Sequence, residues 1–351
     1  MADATYMERR TLGNAGPRWP RIIFGTSCLG NLYAALSDPT KLDICREWFR
    51  NADAPVFLDT AGKYGAGLAL ETIGRNLRQL GVAPERVVIS NKLGWKRAPL
   101  DGPEPTFEPG VWAKLEHDAK LCIGYDGILE CWREGCELLG APYSTELVSV
   151  HDPDEYLQAA TSDADRGQRL ANILDAYRAL KELQRNGEVK AVGVGSKDWH
   201  VIRQIDSAVS LDWVMLANSL TIFNHPPELL QFVSDLASRG VVVINSAVFH
   251  AGFLTGGRFF DYRVPSPTDD GPLFAWRARF QELCRRHDVK PAVACVQFAL
   301  SPPGIAAVAL NSSRPCRVSE NIAAIEASVP RSFWADAKDA GLIASGYPYL
   351  G

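Results

Sequence analysis

Along the 351-residue chain, short apolar runs rich in β-branched residues alternate with longer stretches of mixed polarity. That is the pattern of buried parallel strands with helices laid over them. The runs lie at 21–26, 56–60, 86–91, 146–150, 191–195, 213–218, 241–245 and 305–310. Between them, segments such as 41–50, 68–80, 126–139, 167–185 and 227–238 have helical spacing. Several close on a glycine, at Gly81, Gly140, Gly187 and Gly240, the residue best suited to the left-handed turn that ends a helix. Eight such units, with no proline-rich or charged linker dividing them, predict an α/β fold, a single (β/α)8 TIM barrel over residues 1–351.

A doubly wound sheet is the competing architecture, because Gly65, Ala66 and Gly67 follow the run VFLDT and open a helix, as a dinucleotide-binding turn does. Leu70 stands where that fingerprint needs its third glycine. Two connections, about 95–125 and 258–274, are longer than a minimal barrel requires, and both follow a strand. Loops after strands gather at the C-terminal face, so these two are expected to wall a pocket there, with plain surface elaboration as the alternative.

Composition narrows the partners. Hydrophobic residues make up 46% of the chain and charged ones 22%, which describes a folded globular protein and not a disordered one. Lys and Arg total 37 against 41 Asp and Glu, a balance with no field to hold a polyanion, so nucleic acid is not an expected partner. The opening MADATYMERR is polar, and no apolar run nears the roughly 18 residues of a membrane span. A cytoplasmic protein without membrane attachment is expected. Eight cysteines show no CxxC pair and six histidines no i, i+4 pair, so no metal site is expected.

Chemistry is concentrated where strands end. Asp59 ends the second run, Tyr64 follows five residues later, Lys92 ends the third run and His151 the fourth. An ammonium near a tyrosine favours its phenolate, and a carboxylate keeps that ammonium charged at an apolar mouth. Singly, each has an ordinary reading: Asp59 as a helix cap, Tyr64 as core with a wet tip, Lys92 as a snorkelling surface residue, His151 as a satisfied core histidine. Together on one barrel rim they read as a catalytic set.

These residues sit in motifs that resemble the aldo-keto reductase family over roughly residues 9–329. FLDTAGKYG, ISNKLG and SVHDPD resemble its Asp-Tyr, Lys and His strands. GEVKAVGVGS, SAVFHAGFLTGG and NSSRPCRVSEN resemble its fifth-strand, phosphate-loop and C-terminal cofactor segments. GNLY, YDGI and HDPDEY are similar to the branch of aldose dehydrogenases acting on L-fucose, D-threo-aldoses and L-galactose. The resemblance implies Tyr64 as general acid/base, Lys92 and Asp59 as its tuning pair, and His151 as the group that binds the reacting oxygen.

The resemblance also implies NAD or NADP extended across the barrel mouth. Gly25 and Thr26 would bind the cofactor, and Ser196, Asn218 and Leu220 would lie near the nicotinamide. Ser246, Val248, Gly252 and Leu254 would carry the pyrophosphate along a loop of backbone N–H groups. Asn311, Ser312, Ser313, Arg317, Glu320 and Asn321 would hold the adenine ribose end. Many NADP-dependent relatives have lysine at Asn311, so the expectation leans slightly to NAD. Leu220 replaces a stacking tyrosine, Gly195 the serine of a Ser-Asn pair, and Ala217 a glutamine. Tyr33, Trp95 and Phe249 could offer aromatic faces to a sugar ring, or serve only in packing. The expected reaction is oxidation of an aldose at C1 to its lactone. The alternatives are an NADPH-dependent reductase of aldehydes or ketones, and a nucleotide-sensing subunit with little turnover.

Overall fold

Each of the eight runs is a strand in the computed structural model, which describes residues 10–11 and 18–350. Expectations resting on residues 1–9 lie outside the described residues. The strands are β1 (Ile22–Gly25), β2 (Val56–Ala61), β3 (Val87–Leu93), β4 (Leu147–His151), β5 (Ala191–Ser196), β6 (Trp213–Ala217), β7 (Val242–Ser246) and β8 (Ile305–Leu310). They pair in parallel and in chain order, and β8 returns to β1 through Val308 with Ile22 and Leu310 with Phe24, closing the barrel. This is the (β/α)8 TIM barrel, and the doubly wound alternative falls.

Alternation along the strands fills two layers at once. Inside the barrel, Ile23, Phe57, Val88, Leu147, Trp213 and Ile244 pack with Trp19 as a floor. Their strand neighbours Ile22, Phe24, Val56, Leu58, Val87 and Ile89 face the helices. Both layers are apolar, so these strands read as continuous apolar runs. Gly193 is fixed by this packing: a Cβ there would stand 2.2 Å from the Trp213 ring.

The covering helices are α1 (Asp38–Asn51), α2 (Leu68–Gln79), α3 (Tyr125–Leu139), α4 (Pro153–Gln158), α5 (Asp163–Arg185), α6 (Trp199–Asp206), α7 (Pro227–Ser238), α8 (Gly271–Arg286), α9 (Pro291–Ala299), α10 (Cys316–Glu326) and α11 (Arg331–Asp339). Among the described residues, no helix is long and apolar enough to cross a membrane.

The two long connections depart from plain loops. In the first, Trp95–Pro99 pairs antiparallel with His117–Leu121. This ribbon is anchored by its polar residues: Arg97 reaches Glu71 at 2.8 Å and Lys96 reaches Glu130 at 2.8 Å. Seventeen residues separate its strands, too far for a tight-turn signal. The second ends at residue 270, not 274, because Asp270 accepts the amides of Leu273 and Phe274 and so starts α8.

Candidate active site

Four polar side chains meet at the mouth, carried there by the ends of neighbouring strands. Asp59 and Lys92 lie on the paired strands β2 and β3, and Lys92 Nζ is 2.5 Å from Asp59 Oδ2, with both side chains 5% exposed. Such a pair is held by geometry, since either charge alone would be costly at that depth. Lys92 Nζ also lies 4.8 Å from the centre of the Tyr64 ring. His151, the last residue of β4, meets Tyr64 edge-on at 5.6 Å. Tyr64 itself is placed by a close backbone crossing: a Cβ on Gly30 would stand 2.6 Å from the Tyr64 carbonyl, and one on Gly65, at φ +63°, 2.3 Å from Gly30 O.

Burial and charge then set the protonation states. Burial pushes the Tyr64 phenol well above its ordinary value, and the carboxylates of Asp59, Asp152 and Glu108 add to this against the opposing Lys63. Burial also holds His151 well below the usual imidazole value, helped by the ammonium groups of Lys92, Lys63 and Lys197 and opposed by Asp152. Tyr64 is therefore a protonated phenol and His151 a neutral ring near neutrality. Burial raises the Asp59 carboxyl, with Lys92 pulling it back. Among the described residues, Nδ1 of His151 is buried without a hydrogen-bond partner, and Nε2 is 3.5 Å from Asp152 Oδ2, too long for a strong hydrogen bond.

A second charged cluster escaped the sequence reading. Lys63, next to Tyr64, is 3% exposed and lies within 2.7 Å of Glu108, 3.0 Å of Glu155 and 3.3 Å of Asp152. Lys197 pairs with Glu155 from the other side. Burial alone would lower the Lys63 ammonium, yet the three carboxylates carry it above its ordinary value. The cluster ties together the connections after β2, β3, β4 and β5. Lys63 and Asp152 stood inside motifs already singled out, whereas Glu108 and Lys197 carried no local signal.

Aromatic rings wall this corner. Trp95, Tyr33 and Tyr64 share one cluster with Phe107 and Trp112, and Lys63 Nζ sits 5.1 Å from the Trp95 ring. A cavity of about 230 Å³ opens between Lys63, Trp95, Phe107, Glu108, Asp152 and Tyr156. A larger groove of about 710 Å³ lies on the outside, against α5, away from the strand ends. Phe249 is half-buried and packs against two helix-layer clusters, one of which Tyr64 also touches. Phe259 takes a place at the mouth that sequence reading missed, stacked on Tyr33 at 4.1 Å, and Tyr262 lies 6.4 Å from Tyr33.

The expected cofactor residues divide into two sets. Leu220 is fully buried among Leu216, Leu229 and Val243, so it offers no face to a nicotinamide. Thr26 is also fully buried, its hydroxyl donating to Asp59 O at 2.9 Å, which makes it a support for β2. The amides of Gly252 and Leu254 both donate to Phe249 O, at 3.0 and 3.3 Å. They close the loop's own turns and do not point outward. Val248 is buried by its side chain, and Ser246 donates its hydroxyl to Leu216 O at 3.0 Å. Arg317 and Glu320 pair with each other at 2.6 Å on an exposed helix face.

The remaining set stays at the mouth. Asn218, at φ 61°, keeps a buried Oδ1 with no hydrogen-bond partner among the described residues. Ser196 is buried at the end of β5, its hydroxyl 3.3 Å from Asp198 O. A Cβ on Gly25 would stand 3.2 Å from Asn311 Cβ, so the strand end and the segment after β8 touch. Asn311 donates to Ser27 Oγ at 2.7 Å, Ser312 accepts the amide of Arg314, Ser313 is exposed and Asn321 is half-buried.

Known proteins share this chain's sequence pattern and fold. The model of the Aldo/keto reductase family matches residues 21–341. Pyridoxal 4-dehydrogenase of Microbacterium luteolum is 27% identical over 96% of this chain and 98% of its own. D-threo-aldose 1-dehydrogenase of a Pseudomonas species is 26% identical over 94% and 96%. Among solved structures, an aldo-keto reductase of Bacillus halodurans in its holo form superposes with a TM-score of 0.69 at 19% identity, covering 97% of each chain. The barrel, its polar rim and these matches together make the chain a member of the aldo/keto reductase family, an NAD(P)-dependent oxidoreductase.

Proposed function

We propose that the protein oxidises a cyclic hemiacetal, most directly an aldose at C1, to its lactone, with Tyr64 as the proton-transfer residue. The observation that carries this is the chain of contacts from Asp59 through Lys92 to the Tyr64 ring, with a neutral His151 at its edge. The named relatives support the substrate class, since one acts on the C1 of aldoses and the other on pyridoxal. Both substrates carry an aldehyde that can close onto an internal hydroxyl. The aromatic wall of Tyr33, Trp95, Phe107 and Trp112 suits the C–H face of a sugar ring or the π face of a pyridine.

The mouth has features that fit a nicotinamide dinucleotide. The orphaned Asn218 Oδ1 is an acceptor for an amide N–H, and Ala247, His250, Ala251 and Gly252 all hold positive φ. The amides of His250 and Gly252 close turns onto Ala247 O and Phe249 O, which leaves those of Ala247, Val248 and Ala251 without a backbone acceptor among the described residues and open to an anion. Ser196 and Asn218 would hold the carboxamide, Gly25 and the 246–252 loop the diphosphate, and Asn311, Ser312, Ser313, Arg317 and Asn321 the adenine ribose.

When bound, the oxidised nicotinamide supplies the acceptor for the hydride that leaves C1. Tyr64 must first lose its proton, and the Lys92 ammonium, 4.8 Å from the centre of the ring, favours the phenolate that results. Asp59 keeps Lys92 charged and aimed. The phenolate takes the proton of the anomeric hydroxyl as its oxygen becomes the lactone carbonyl. His151, neutral and only loosely held by Asp152, donates to that oxygen through Nε2. In reverse, the protonated phenol donates to a carbonyl oxygen.

We further propose a slight preference for NAD. Asn311 brings no charge, and a 2′-phosphate at Arg317 would meet Glu320, whose carboxylate is 2.6 Å from that guanidinium. The test is a panel of D-threo-aldoses, L-galactose and pyridoxal with both oxidised cofactors, set against aldehydes and ketones with the reduced ones. Lactone formation with NAD equal to or ahead of NADP is expected. Turnover of simple carbonyls alone overturns the substrate class, and NADP ahead by more than about tenfold (about 1.4 kcal/mol) overturns the cofactor preference.

A further inference from the structure

A second polar relay lies in the connections beyond β6 and β7. His250 is 2% exposed, with Nε2 2.9 Å from Thr221 Oγ1 and Nδ1 2.8 Å from Asp261 Oδ2. The Thr221 oxygen already accepts the amides of Phe223 at 3.2 Å and Asn224 at 3.0 Å, which fills both its lone pairs. Its hydrogen is left to donate to His250 Nε2. The ring proton therefore sits on Nδ1, which donates to the Asp261 carboxylate. Phe260 stacks on the imidazole at 4.9 Å and Phe223 meets it edge-on, keeping water from a polar chain that low dielectric strengthens.

The relay joins two segments with different neighbours. His250 belongs to the loop after β7, whose residues Ala247, His250, Ala251 and Gly252 turn through positive φ. Asp261 belongs to the excursion that follows, and its own φ of 44° and that of Tyr262, 70°, are also left-handed. For the residues other than glycine such conformations are strained and persist only where surrounding contacts over-determine them. On either side of Asp261, Phe259 stacks on Tyr33 and Tyr262 lies over Lys197 at 4.5 Å. The segments also touch through backbone, with a bridge between Gly252 and Phe259 and a Cβ on Gly257 standing 2.8 Å from Gly252 O.

We propose that Thr221, His250 and Asp261 are positioning residues that bind the substrate wall, Phe259 and Tyr262, to the loop after β7. A dinucleotide lying on that loop thereby orders the surface that meets the substrate. The proposal rests on the cofactor placement given above. Amide hydrogen exchange of the full-length protein tests it, with saturating NAD or NADP and without. In the parent, exchange slows by about tenfold in both 247–254 and 257–263. Asp261→Ala keeps the response of 247–254 and loses that of 257–263, while Asp261→Asn, which retains an acceptor for Nδ1–H, restores it. Thr221→Val gives the same loss from the other end, with Thr221→Ser as its rescue, should Asp261→Ala not fold. An unchanged 257–263 in a parent protected at 247–254, or a parent-like response in Asp261→Ala, overturns the relay alone. No protection at 247–254 with either dinucleotide overturns the cofactor placement and the relay with it.

Discussion

At the scale of single residues, the site works by setting protonation states before any substrate arrives. Tyr64 is desolvated and surrounded by more carboxylate than ammonium charge, so its proton is held more tightly than in a free phenol. The sign follows directly: below that raised value the residue is an acid, ready to donate, and its conjugate base is scarce. Each pH unit below it costs the oxidative direction about tenfold, or about 1.4 kcal/mol. We expect kcat/KM for oxidation to rise with near-unit slope from about pH 7 to 9, while that for reduction stays level over the same range. Initial rates in both directions give the check, and a flat oxidative profile would contradict the assignment. Asp59, Tyr64, Lys92 and His151 were legible because ionisable residues at strand ends are rare. Lys63 was not, because a lysine in a loop looks the same whether it is solvated or buried among Glu108, Asp152 and Glu155.

At the scale of elements, strands were easier to read than what joins them. A strand buried on both faces shows as a continuous apolar run, and β8 coincides with its predicted span at 305–310. The ribbon Trp95–Pro99 with His117–Leu121 escaped because its stabilising partners, Glu71 and Glu130, lie on helices. Leu220 misled for a related reason: its position in LANSLTIF pointed to the mouth, but the chain after β6 turns it into the helix layer. The element that seats Tyr64 is the crossing of Gly30 over Gly65, and it makes a sharp prediction. Gly30→Ala sets a Cβ 2.6 Å from the Tyr64 carbonyl and is expected to cost about 1–3 kcal/mol or more and most of the turnover. Gly271→Ala, with nothing within 4 Å of the added Cβ, should leave both unchanged. Thermal unfolding and initial rates of the two variants check this, and a Gly30→Ala protein with parental turnover would remove the crossing from the account.

At the scale of the whole molecule, closure of the barrel is what turns scattered residues into a site. Asp59, Lys92 and His151 are separated by 33 and 59 positions, yet β2, β3 and β4 are consecutive staves. Register then stacks Ala61 against Lys92 and Lys92 against Ser149, leaving the three side chains around one opening. The connections after the strands add the charged cluster, the aromatic wall and the relay, which is why the barrel was readable from pattern while the pocket's detail, made of contacts between distant loops, was not. Everything proposed about the reaction depends on Tyr64 moving a proton in that opening. The most direct measurement pairs steady-state turnover with dinucleotide affinity for Tyr64→Phe, which removes one hydroxyl and keeps the ring beside Lys92. The account predicts turnover lower by orders of magnitude with affinity for NAD and NADP within about threefold of the parent. Parental turnover in Tyr64→Phe would contradict it.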